Sequence, residues 1–164
     1  AGKYMRPLSM AQSLVALMPR FGMDVTLAHP KGFELMPEPM RLARENAARY
    51  GSKFEVVDDM DEAVRGADVV YAKGWGPVMT VGDDEAAGVE MINQNPGWIV
   101  DKRRMDLASP ESIYMHCMPA DRDIEVTSEV MDGPHSVLYD EAENRLHTIK
   151  ALMALTMGNS LARR

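Results

Sequence analysis

Apolar positions along this chain switch repeatedly between helical spacing and short β-branched runs. Leu14, Leu17 and Phe21 share one helical face behind Ser9, a candidate cap, with Pro19 near the end and Gly22 as the stop. Asp24–Ala28 reads as a strand that His29-Pro30 leaves. Pro37 suits the first turn of a helix running through Leu42, Ala43 and Asn46, closed by Gly51. Phe54–Val57 reads as a strand, and Asp59 with Glu62 forms a capping-box pattern for a brief helix that Gly66 ends. Asp68–Ala72 is the clearest buried strand, β-branched and uncharged after its first residue. A helix over about 101–108 follows, then a strand over 112–115. Thr127 is a candidate cap for a short helix that Gly133-Pro134 terminates. Residues 136–139 read as a last strand and 141–157 as a long helix, with Leu146, Ile149, Met153 and Leu155 near one face.

Strands alternating with helices predict an α/β fold: a doubly wound, mainly parallel sheet with helices on both faces. The chain opens in a loop before a helix, where such domains usually open on a strand, so an upstream strand is expected. Residues 73–97 break the rhythm with Gly74, Gly76, Pro77, Gly82, Gly88, Pro96 and Gly97, and read as a structureless connection of the length that is functional or mobile.

Composition narrows the partners. At 164 residues the chain suits one domain with its own core. A net charge of -7 without a basic stripe argues against nucleic acid. No apolar run approaches the ~18 residues of a membrane span, and no signal-peptide pattern is visible. The single cysteine, Cys117, excludes an intrachain disulfide framework and points to a reducing, cytoplasmic setting. The 15 methionines read as core filler, with an adaptable binding surface as the alternative. No GxGxxG, P-loop, HExxH or paired-cysteine signature occurs, so no metal or other cofactor is expected. His29, His135 and His147 lack mutual ligand spacing and read as structural or surface residues.

Three segments carry candidate chemistry. His116-Cys117-Met118-Pro119-Ala120 ends a strand, and in open parallel sheets ligands bind at that edge. Adjacent strand side chains point to opposite faces, which disfavours a Cys117–His116 nucleophilic pair. A non-covalent substrate contact and a buried thiol beside a satisfied histidine both remain open. Met118-Pro119 is a candidate cis peptide that could aim a backbone carbonyl at a ligand. Lys73-Gly74-Trp75-Gly76-Pro77 follows the buried strand. Lys73 and Trp75 could clamp an anionic, partly apolar ligand, or be a solvated lysine and a loop anchor. Arg145, near the start of the last helix, opposes the helix dipole, so either a bound anion or a salt bridge to Glu141 would explain it.

Together these segments resemble the ornithine-type carbamoyltransferases. His116-Cys117-Met118-Pro119-Ala120 matches the family's HC-L/M-P motif, and Glu141-Ala142-Glu143-Asn144-Arg145 matches its EAENR segment. Glu125-Val126-Thr127 with Glu129-Val130 agrees in spacing, and Leu8-Ser9, Phe21-Gly22-Met23 and His29-Pro30-Lys31-Gly32 resemble the opening of the family's second domain. The resemblance implies a Rossmann-like amino-acid-binding domain over residues 1–164. Its partners would be carbamoyl phosphate and an amino acid, in a homotrimer. Cys117, His116, Met118 and Pro119 would contact substrate, the Met118 carbonyl accepting from the carbamoyl amide. Arg145 would steady the carbamoyl oxygen and phosphate, the role of a donor aimed at developing oxyanion charge.

Two departures refine the picture. The ornithine enzymes carry Asp-x-Trp where this chain has Lys73-Gly74-Trp75, and an ammonium in place of a carboxylate reverses the preferred ligand charge. Lys-x-Trp resembles the knotted branch, whose members take N-acylated ornithines or amines still unidentified. The family's Ser-x-Arg-Thr-Arg phosphate loop is absent from this sequence, so the amino-terminal carbamoyl-phosphate domain is expected to lie outside it. The alternatives are a non-enzymatic amino-acid-binding module and a doubly wound nucleotide-binding transferase. The latter lacks its glycine fingerprint here.

Overall fold

The computed structural model describes residues 4–157. It is α/β with parallel strands. Helix α1 (Ser9–Leu17) leads through a 3-10 turn (Met18–Phe21) to β1 (Val25–Ala28). Helix α2 (Pro37–Tyr50), β2 (Phe54–Val57), α3 (Met60–Val64) and β3 (Val69–Tyr71) follow. Next come α4 (Val78–Val81), α5 (Glu85–Asn93), α6 (Lys102–Met105), β4 (Ile113–Met115), α7 (Ser128–Met131) and α8 (Leu138–Met157).

The strands form two parallel pairs rather than one continuous sheet: Val25 registers with Phe54 in the β1–β2 pair, and Val69 with Ile113 in the β3–β4 pair. The remaining edges of β1 and β3 both border a cavity of about 310 Å3. Each pair has its own core. Leu8, Ala11, Val15, Leu27, Leu35 and Ala43 pack beneath β1. Val70, Val100, Tyr114, Val126, Val130 and Leu138 pack around β3 and β4.

Several elements follow local chemistry as expected. Pro37 opens α2, and Gly51 ends it in the left-handed region at φ 74°, where a Cβ would be strained. Asp59 caps α3 by accepting from the N–H groups of Asp61 and Glu62. The Met118-Pro119 peptide is cis.

Other expectations are corrected. Ser9 does not cap α1; it is the first helical residue, and no side chain caps that end. Pro19 lacks the N–H that would continue the helix, so the chain tightens into the 3-10 turn. That swings Leu17 and Phe21 outward, the latter 71% exposed, and leaves Ala11 and Val15 as the buried face. Thr127 does not cap α7 through its side chain; Asp123 does, accepting from both the N–H and hydroxyl of Ser128. No strand forms over 136–139: Ser136 makes one bridge to Tyr114, and α8 already begins at Leu138. The apolar face expected on that helix is exposed, with Leu146 at 66% and Ile149 at 52%.

The connection after β3 is not structureless. Asp84 accepts from the N–H of Ala87 and so starts α5, and Met5 fills the space that Gly88 leaves on that helix. Asp84→Ala should therefore lower stability by about 1 kcal/mol, the usual value of an N-cap. An unchanged urea midpoint would show that this cap is idle.

Candidate functional site

The site begins where β1 and β3 end. His29-Pro30 leaves β1 and Lys73-Gly74-Trp75 leaves β3, and these residues line the cavity between the two strand pairs. Arg6, Asp121 and Glu125 complete its polar wall. Trp75 donates its indole N–H to the carbonyl of Phe33 at 2.9 Å and packs against the β1 core. His29 meets the Trp75 ring edge-on, with centroids 6.3 Å apart. Trp75 thus anchors its loop while forming part of the cavity wall.

Glu125 is the hub of the polar wall. Its Oε1 accepts from His116 Nε2 at 3.0 Å and from the N–H of Asp121 at 3.0 Å. Its Oε2 accepts from the N–H of Gly74 at 2.6 Å and lies 3.7 Å from Lys73 Nζ. The Gly74 contact is close: a Cβ there would meet Glu125 Oε2 at 3.1 Å. The Glu125 side chain is only 6% exposed and that of Lys73 10%. Burial alone would raise the Glu125 carboxyl. The His116 bond, the two backbone N–H groups and the Lys73 charge outweigh it and hold the group down at about 2. Asp121 pairs with Arg6, and the Arg6 carbonyl accepts from the N–H of Gly76. One ion network therefore ties together the chain segments at residues 6, 73–76 and 116–125.

His116 is fully enclosed, at 0% exposure. Its Nδ1 accepts from the N–H of Met118 at 2.9 Å while Nε2 faces Glu125, which assigns the Nε2–H tautomer. Both ring nitrogens are thus engaged within the protein, and the ring shapes the turn that carries Cys117, Met118 and Pro119. Met118 holds a positive φ of 48°, unusual for a residue with a Cβ. Cys117, two residues after the end of β4, is partly exposed.

The expected residues divide into two groups. Lys73 and Trp75 border the cavity, and His116 is joined to its wall through Glu125. Cys117 and Arg145 lie outside that lining: Cys117 follows β4, and Arg145 is on α8, the helix that packs against β4. Of the two readings of Lys73, the solvated lysine is excluded: its side chain is nearly buried and Glu125 faces it. The Arg145–Glu141 salt bridge is absent, because Glu141 Oε1 accepts from the Tyr71 hydroxyl at 2.8 Å instead. Arg145 is exposed on α8, and no carboxylate partner for it occurs among the described residues. Arg6, Tyr71, Asp121 and Glu125 were not singled out as site residues from sequence. The available signal for Glu125 was the Glu125-Val126-Thr127 stretch that resembles the family; its burial against His116 and Lys73 comes from the fold. No group of metal-ligating side chains forms among the described residues, and none of their helices is long and apolar enough to cross a membrane.

Fold and site define an α/β domain with a largely apolar cavity, carrying one polar wall, at the carboxyl ends of parallel strands. Residues 7–156 match the family model described as aspartate/ornithine carbamoyltransferase, Asp/Orn binding domain, and the chain belongs to that family. It is 43% identical over 151 residues to the ornithine carbamoyltransferase of Methanothermobacter thermautotrophicus, covering 92% of this chain and 49% of that protein. It is 40% identical over 158 residues to the N-acetylornithine carbamoyltransferase of Xanthomonas campestris pv. campestris, covering 94% of this chain and 46% of that one. Among solved structures, acetylornithine transcarbamylase complexed with acetylcitrulline superposes with a TM-score of 0.84. That structure is 40% identical, covering 92% of this chain and 45% of the other. The chain thus spans about half the length of the curated relatives it matches.

Proposed function

We propose that this domain supplies the amine-substrate half of a carbamoyltransferase site, with carbamoyl phosphate held by an amino-terminal domain of the same polypeptide. The amine nitrogen bonds to the carbamoyl carbon as the bond from that carbon to the phosphate oxygen breaks, and the amine gives up a proton. Cys117, the Met118 carbonyl, Pro119 and Arg145 face the transferring group. Arg145 meets the anionic donor, and its lack of a carboxylate partner among the described residues leaves its charge available. His116 acts from behind, holding the turn. In this reading the complete protein is a cytoplasmic homotrimer of the knotted branch, as the Lys73-Gly74-Trp75 motif suggests.

The amine is an N-acylated amino acid in preference to free ornithine. One observation carries this: both carboxylates on the cavity wall are already committed, Glu125 to three hydrogen bonds and Lys73, Asp121 to Arg6. A second free ammonium on the substrate therefore finds no anion there, whereas an acyl group brings none. An N-acetylornithine enzyme among the relatives supports the reading. The test is a carbamoyl-transfer assay of the complete polypeptide with free and N-acylated ornithine. The expected result is at least about a tenfold preference for the acylated amine, equivalent to about 1.4 kcal/mol. A preference for free ornithine would overturn the substrate class, and no transfer to either amine would overturn the activity.

A further inference from the structure

Tyr71 belongs to both halves of the site. It borders the cavity at the end of β3, and its ring lies parallel to that of His116, with centroids 6.3 Å apart and planes 16° apart. Its hydroxyl donates to Glu141 Oε1, in the first turn of α8, at 2.8 Å. Burial, then the bond to Glu141 and the neighbouring Cys117, raise its ionisation well above the usual phenol range, so the hydroxyl stays a donor. The other oxygen of Glu141 is buried and has no partner among the described residues. The Tyr71 hydroxyl is thus the side-chain group that anchors this carboxylate. Arg145 follows Glu141 by four residues, which places it one turn on along the same helix face.

We propose that the Tyr71–Glu141 hydrogen bond is a positioning bridge, fixing the first turn of α8 on the β3–β4 edge and so setting Arg145 in register with Cys117. The inference rests on the carbamoyltransferase reading for its catalytic consequence and on geometry alone for the bridge. Tyr71 and Glu141 are positioning residues that act through Arg145. A merely structural role would lower stability without separating binding from turnover.

Two measurements test it. In the 164-residue chain, Tyr71→Phe keeps the ring against His116 and removes only the donor. Amide hydrogen exchange over residues 138–145 should accelerate about tenfold, the scale of one lost hydrogen bond to a charged group, with β1 and β2 unchanged. In the complete polypeptide, the same variant should lower kcat about tenfold and raise KM for carbamoyl phosphate more than KM for the amine. Glu141→Gln, which keeps an acceptor, should stay near wild type, while Glu141→Ala should match Tyr71→Phe. The double variant Tyr71→Phe/Glu141→Ala should be no worse than either single one. Unchanged or uniformly faster exchange overturns the bridge, and so does a Glu141→Gln variant as impaired as Glu141→Ala. If wild-type protein transfers no carbamoyl group, the enzymatic reading falls, and the exchange result judges the bridge by itself.

Discussion

Glu125→Ala should destabilise this domain by about 3–5 kcal/mol, the range for breaking a buried ion pair from one side. The loss has several parts. Lys73 would keep a nearly buried ammonium without its counter-charge. His116 Nε2–H, fully enclosed, would lose its acceptor, and so would the N–H groups of Gly74 and Asp121. Each unpaired buried donor carries its own desolvation cost. Glu125→Gln, which keeps the shape and two acceptor lone pairs but not the charge, should cost less. Because the folded carboxyl is held down at about 2 from an ordinary 4.5, its contribution is fully present above about pH 4.5. It is lost progressively as pH falls through 2. That shift corresponds to about 3 kcal/mol. Urea unfolding at neutral pH and near pH 3 checks both statements. A Glu125→Ala midpoint close to wild type would show that the network contributes little, and a wild type equally stable at both pH values would show that Glu125 is not held ionised.

Arg145→Ala should reduce carbamoyl transfer by the complete polypeptide by about 2–4 kcal/mol of transition-state stabilisation, the cost of one lost oxyanion donor. Folding should be unaffected. Arg145 is exposed and Glu141 is bonded to Tyr71 instead, so truncation leaves no buried charge behind. The expected signature is a large fall in kcat/KM for carbamoyl phosphate with an unchanged circular dichroism spectrum and urea midpoint. Loss of the folded state would place Arg145 among the structural residues. Full activity in the variant would remove it from the site altogether.

The order of elements was determined by local chemistry and so was legible in the chain. Pro37 and Gly51 bound α2, Asp59 starts α3, and the apolar run at β3 needs no distant residue to explain it. The motif around Cys117, the cis Met118-Pro119 peptide and the EAENR segment were also readable, because each is a contiguous stretch. Where the reading failed, the deciding contact came from elsewhere in the chain. Asp123 caps α7 from five residues upstream of Ser128. Residues 136–139 lie against Tyr114 of β4 but turn into α8 after a single bridge. The chemistry of Lys73 was decided the same way. Sequence gives an ammonium at the end of a buried strand, and its meaning changes when Glu125, 52 positions away, is folded against it at 3.7 Å. Glu141 shows the same logic, its helical neighbour Arg145 being passed over for Tyr71 from β3. Most helix starts, turns and strand runs here are set by residues within one turn of each other, the start of α7 and residues 136–139 being the exceptions. Pairing of charges depends on which distant side chains share a desolvated pocket, and only tertiary structure decides that.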